Sequence, residues 1–218
     1  LLALKTLGRD SMAESMLQAG RKRYVESDQK LDLIGGCAGL IGTLLKIQND
    51  TALELAVHAG NQLLVKQNSD GSWPNGESTK AGILGFSHGN AGNATALAHL
   101  HSATRENRYL QGALAALAYE RSHFNAEEQN WPDYRTTEEP KEFMTTWCHG
   151  APGIALSRAC LWQTAAWDEQ CNDEIELAAG EDNNIDDGPM LFGGKKSKKS
   201  KKSRKYKKSR KSKKSKKS

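Results

Sequence analysis

Thr145-Thr146-Trp147-Cys148-His149-Gly150-Ala151-Pro152-Gly153-Ile154-Ala155-Leu156 decides the reading of this chain. A Cys-His pair runs into Gly-x-Pro-Gly and then into an apolar stretch. Glycine and proline in that order make a tight turn, and a proline fits the first turn of a new helix. Cys148 therefore sits on a corner just before a helix start. Thiolate and imidazole are common zinc ligands, so such a corner can present chemistry to a cavity.

The unit recurs. Gly36-Cys37-Ala38-Gly39 leads into Leu40, Ile41, Leu44 and Leu45, and Gly89-Asn90-Ala91-Gly92 leads into Ala94, Leu97 and Leu100. Aligning the three Gly-x-x-Gly units puts Gly35, His88 and His149 in one column. Ile34, Ser87 and Cys148 fall in the next. Trp73-Pro74 precedes the second unit and Trp131-Pro132 the third. Spacings of 53 and 61 residues fit an array of repeated supersecondary units. Polar groups at equivalent corners imply one shared site.

Between the corners the chain has helical patterning. Residues 2–20 carry Leu4, Leu7, Met12, Met16 and Leu17 at mixed three- and four-residue steps, and Thr51–Gln67 repeats the pattern. Tyr109–Tyr119 is rich in Ala and Leu, which favours helix. Apolar helices are expected to open at the three corners, over roughly 38–48, 91–103 and 153–166. The expectation is an all-α chain of outer amphipathic and inner apolar helices, an incomplete α/α toroid with its corners at one end.

Gly85-Phe86-Ser87-His88-Gly89-Asn90-Ala91-Gly92 and Trp147-Cys148-His149-Gly150-Ala151-Pro152-Gly153 together resemble the lanthionine synthetase C-like cyclases. The wording around Cys148 looks most like the cyclase domain of bifunctional, class II lanthipeptide synthetases. Asp32-Leu33-Ile34-Gly35-Gly36-Cys37-Ala38-Gly39 resembles the family's earlier Asp-containing unit. The resemblance covers residues 1–175 and implies the toroid fold.

It also implies a reaction: a zinc-dependent thioether ring closure on a dehydrated precursor peptide. A peptide Cys thiol adds to dehydroalanine or dehydrobutyrine, and the enolate that forms is protonated. By this resemblance Cys148 is a Zn2+ ligand, His88 the acid/base, Asp32 its orienting partner, and His149 part of the substrate-side wall. Two departures stand out. Some members place an Arg four residues before the zinc cysteine, where this chain has Met144. The family's later unit, Cys-His-Gly or Cys-Cys-Gly with two more zinc ligands, does not occur. Cys160 and Cys171 are not followed by His-Gly or Cys-Gly, and with Cys37 they read as structural thiols. The expected cyclase is therefore impaired.

Composition divides the chain. The formal net charge is +5, yet residues 195–218 hold 16 Lys/Arg and no acid, which leaves 15 Lys/Arg against 26 Asp/Glu before them. From Glu169 the helical pattern is expected to fail, with 176–194 an acidic linker and 195–218 a disordered Lys/Ser tail. That tail would grip nucleic acid or an anionic surface without sequence choice. No apolar run of about 18 residues suggests a membrane span. Four cysteines without paired spacing and no secretory signal fit a reducing cytoplasm. The chain begins without Met, as a fragment would. Two other functions stay open: a non-catalytic scaffold binding peptide or metal, and tail-driven polyanion binding. A carbohydrate-active α/α barrel would want paired carboxylates at the corners, where this chain has His and Cys.

Overall fold

The computed structural model describes residues 6, 8–20, 30–74, 81–135 and 142–179. Seven helices lie among them: α1 Asp10–Gly20, α2 Cys37–Leu45, α3 Asp50–Lys66, α4 Asn90–Thr104, α5 Asn107–Ser122, α6 Ala151–Leu161 and α7 Glu169–Ala178. The described residues contain no strand, only isolated bridges at Asn125–Asn130 and Thr146–His149.

Three successive hairpins, α2/α3, α4/α5 and α6/α7, stand side by side. Helix α4 packs on α2 on one flank and on α6 on the other, while α3 packs on α4 and α5. The inner row α2–α4–α6 backed by outer helices is a partial α/α toroid. Burial follows the two roles. Helix α4 is enclosed almost all round, including Ala91, Ala94, Leu97, Ala98 and Leu100. Helix α3 buries one stripe, Ala52, Leu55, Ala56, Ala59 and Leu63, at helical spacing. The small side chains on α4 let its neighbours approach closely. Each fully buried Leu contributes roughly 1.5–3 kcal/mol of transfer free energy.

Local chemistry sets the joints. Asn49 caps α3 by accepting from Ala52 N at 2.8 Å, and Asp168 caps α7 by accepting from Cys171 N. The two Trp-Pro markers do the same job. Trp73 Nε1 donates to Leu63 O at 2.8 Å and Trp131 Nε1 to Glu120 O at 2.8 Å. Each indole folds back onto a carbonyl near the end of the preceding outer helix, and both side chains are buried.

The structure corrects the expected boundary at Glu169. Helix α7 begins there, and a network of buried charge holds it. Arg158 on α6 donates through Nε to Glu174 Oε2 at 2.6 Å and through Nη1 to Glu120 Oε2 at 3.0 Å. Arg121 donates to Glu174 Oε1 at 2.9 Å and forks onto both Asp168 oxygens at 2.7 Å. Hydrophobic periodicity missed α7 because its buried positions are Cys171 and Glu174. The expected linker begins inside this helix, at residue 176. The remainder of the linker and the Lys/Ser tail lie outside the described residues. The expected helix over 153–166 stops at Leu161, where a turn closes with Thr164 N donating to Leu161 O at 2.9 Å.

Candidate functional site

The three corners share one steric rule. The second glycine of each unit lies against the backbone of the residue six before it. A Cβ on Gly39 would run into Leu33 O, on Gly92 into Phe86 O, and on Gly153 into Trp147 O. The first turn of each inner helix is thereby locked onto the loop that precedes it. The corners are then joined by equivalent hydrogen bonds. Leu33 N donates to Ser87 O at 3.1 Å, and Phe86 N donates to Cys148 O at 3.0 Å. In the repeat alignment these are one bond, made twice, and it brings the three loops into one row.

That row places Asp32 beside His88. Asp32 Oδ2 lies 2.8 Å from His88 Nδ1, and Asp32 Oδ1 accepts from Gly35 N at 2.7 Å. Asp32 is buried, whereas the His88 side chain is 43% exposed. The carboxylate holds Nδ1 as a donor, so Nε2 is the nitrogen left for a substrate. Leu31, just before Asp32, sits in the left-handed region at φ 62. A bulky residue there costs about 1–2 kcal/mol, and strain of this kind collects at functional positions.

The third corner supplies Cys148 and His149. Thr146 and His149 exchange backbone hydrogen bonds at 3.2 Å, a tight turn that lifts Cys148 between them. Cys148 is half-buried, with Sγ 3.1 Å from Thr146 Oγ1. The His149 ring stacks on His88, centroids 6.2 Å apart and planes at 28°. His149 is only 2% exposed, so it backs the site rather than forming an open wall. Its Nδ1 lies 3.4 Å from Leu84 O, and its Nε2 has no partner among the described residues. Burial, reinforced by the Arg135 cation, pushes the imidazole pKa down and keeps the ring neutral.

Sequence reasoning missed the Asp133–Arg135 pair. Arg135 forks onto Asp133, with Nε 3.0 Å from Oδ1 and Nη2 2.6 Å from Oδ2. Burial opposes ionisation of Asp133, but the Arg135 hydrogen bonds outweigh it and hold its pKa below the usual range. The signal was available: Asp133 follows the second Trp-Pro marker directly. It missed Glu120 as well, whose Oε1 accepts from Gly85 N at 3.2 Å. Burial pushes the Glu120 carboxyl up, against the pull of Arg158.

Zinc chemistry needs three protein ligands and an open position, or four ligands. Among the described residues no group of three or more His, Cys, Asp or Glu side chains converges to hold a metal. Cys148 supplies one sulfur, and His88, bonded to Asp32 through Nδ1, keeps Nε2 as a second donor, still short of three ligands. This donor set does not fit a metal centre. Cys37 and Cys171 are buried and Cys160 is partly buried, and no disulfide joins any of the four cysteines.

A family model described as "Lanthionine synthetase C-like protein" matches residues 3–183. Among curated proteins the chain is similar to "Lacticin 481/lactococcin biosynthesis protein LcnDR2" of Lactococcus lactis subsp. lactis, at 30% identity over 127 residues. The match covers 58% of this chain and 12% of that relative, so the chain spans a small part of the relative's length. The three glycine corners, with His88 and Cys148 in their row, lie inside the matched span, and the chain belongs to the lanthionine synthetase C-like family.

Proposed function

We propose that this chain carries the proton-transfer part of a thioether-forming cyclase acting on a dehydrated precursor peptide in lanthipeptide biosynthesis. One observation carries the reading: the exposed His88 ring is held through Nδ1 by the buried Asp32 carboxylate at 2.8 Å. An imidazole held through one nitrogen can act as a general acid/base through the other. The name of the lacticin/lactococcin biosynthesis relative supports the choice of substrate class.

In the proposed reaction His88 Nε2 takes the proton of a peptide Cys thiol. The sulfur adds to the β-carbon of dehydroalanine or dehydrobutyrine, the carbon–carbon double bond is consumed, and an enolate forms. The imidazolium then returns a proton to the α-carbon. Asp32 orients the ring through its Nδ1 hydrogen bond. His149 lies behind His88, with the ring centroids 6.2 Å apart.

Family membership implies zinc, which when bound would supply thiol activation. Cys148 would be its sulfur ligand, and the donor set among the described residues is too small to hold the metal tightly. Without that activation a substrate thiol keeps a pKa near 8.5, so only a few per cent is thiolate at pH 7. Ring closure by the chain as it stands should therefore be slow.

The test is a thiol-capping assay with a dehydrated, Cys-containing peptide. It compares the chain with a version extended after Ala179 by a helical hairpin bearing Cys-His-Gly. The extended version should close rings, and His88→Gln should slow it about 10²- to 10⁴-fold. Equal rates with and without His88 would remove it from the chemistry. Elemental analysis should find well under one zinc per original chain. Tight equimolar zinc would mean that residues such as Cys160 complete a site.

A further inference from the structure

The row of corners has two open ends, and they are complementary. The bond that joins the corners runs from Leu33 N to Ser87 O, and again from Phe86 N to Cys148 O. At the third corner the equivalent donor is Trp147 N. At the first corner the equivalent acceptor is Ile34 O. Neither atom makes a hydrogen bond among the described residues. The side chains follow the same division. Phe86 and Ser87, in the middle corner, are buried, whereas Ile34 is 58% exposed and Trp147 is 56% exposed.

The inner helices repeat the pattern further along. Helix α4 meets α6 through Thr95 Oγ1 and Ser157 Oγ, 3.0 Å apart and both buried. In the repeat alignment the α6 position equivalent to Thr95 is Leu156. It is 39% exposed, and Ala159 and Trp162 are exposed on the same helix end. The α2 position equivalent to Ser157 is Thr43, which is half-buried. An apolar flank of this kind marks an interaction surface.

Residues 180–218 do not carry a match for that flank. They contain no further Gly-x-x-Gly unit, and Ile185, Met190, Leu191, Phe192 and Tyr206 are their large apolar residues, fewer than a corner and its inner helix use. The chain does carry both halves of the contact, in the register that its own corners employ. We propose that a second copy of this chain seats its first corner on the third corner of its neighbour. Trp147 N of one copy then donates to Ile34 O of the other, and Leu156 packs against Thr43 across the contact. The interface is heterologous, one edge of the row against the opposite edge. It does not depend on the chemistry proposed for His88.

The test uses the full chain at about 0.3 M salt, which screens contacts made by the Lys/Ser residues of 195–218. Sedimentation should show reversible association between about 1 and 100 μM. Leu156→Glu should weaken it about tenfold or more. The helical circular dichroism should stay unchanged, because that side chain is already exposed. Cysteine pairs then read the register. A Thr43→Cys chain mixed with a Leu156→Cys chain should form a disulfide-linked pair under mild oxidation, faster than either variant alone. A natural chain that stays monomeric over this range, or association unchanged by Leu156→Glu, would overturn the proposal. Preferential cross-linking of Leu156→Cys to itself would overturn the edge-to-edge register.

Discussion

Gly85 N donates to Glu120 Oε1 at 3.2 Å, which ties the loop that carries His88 to the buried charge network of α5, α6 and α7. Gly85 lies at φ 101, and a Cβ there would come within 2.7 Å of Cys148 O. The loop is held from behind by a carboxylate and pressed in front against the third corner. Glu120 therefore links the placement of His88 to the packing of α6 and α7.

Removing one member of that network should be costly. Glu120→Ala leaves the fully buried Arg158 facing Glu174 alone and frees the Gly85 amide. Breaking a buried pair from one side costs about 3–5 kcal/mol. Chemical denaturation should register that loss, with Glu120→Gln milder because it can keep the Gly85 bond.

Truncation before α7 should fare no better. A chain ending at Asp168 loses Glu174, leaving Arg158 with Glu120 alone and Arg121 with Asp168 alone. It should be insoluble or unfolded by circular dichroism, whereas truncation after Ala179 should keep the helical signal. Any restored hairpin belongs after α7, not in its place.

The corner glycines give a graded test. Gly92→Ala would drive a Cβ into Phe86 O, and Gly39→Ala into Leu33 O. Alanine normally favours a helix by about 1 kcal/mol over glycine. Here overpacking of about 1–3 kcal/mol should win, and thermal melts should fall. Gly42→Ala, which meets nothing within 4 Å on the same helix, should hold or raise stability.

Acid should weaken the α5–α7 joint within a defined window. The fork from Arg121 holds Asp168 down from 3.8 to about 2. A carboxylate depressed in the folded state adds stability above its unfolded pKa and loses it as pH falls towards the folded one. The melting temperature should thus drop between pH 3.8 and about 2, and Asp168→Asn should flatten that limb.

Residues 195–218, with 16 Lys/Arg, should give the chain salt-sensitive affinity for DNA or RNA. Contacts to about six to ten phosphates lose roughly three to five powers of ten between 50 and 200 mM salt. Filter binding should show that slope, and deleting 195–218 should abolish it.

The repeat was legible because its requirements are local. A glycine that must touch the residue six before it, and an indole that must return to the helix just left, leave short motifs at fixed spacing. Those motifs gave the hairpins and the inner and outer helices, and put His88, Cys148 and His149 at equivalent corners, while Asp32 was marked only by the family resemblance. Long-range polar pairing left no such mark. Arg158 finds Glu120 across 38 residues and Glu174 across 16, and nothing in the local pattern joins them. Burial of His149 was equally hidden. It depends on stacking against His88 and on the Leu84 carbonyl, contacts that exist only once the corners meet. Arg135 escaped notice because it reaches the site through its neighbour Asp133 rather than through a repeat position.

The Asp32–His88 hydrogen bond can be read directly. In a long-range proton–nitrogen correlation spectrum, neutral His88 should carry its proton on Nδ1, donated to Asp32, with Nε2 unprotonated. Asp32→Ala should return the ring to the Nε2–H form that free imidazole side chains prefer. An Nε2–H ring in the natural chain, unchanged by loss of Asp32, would contradict the proposed acid/base pair.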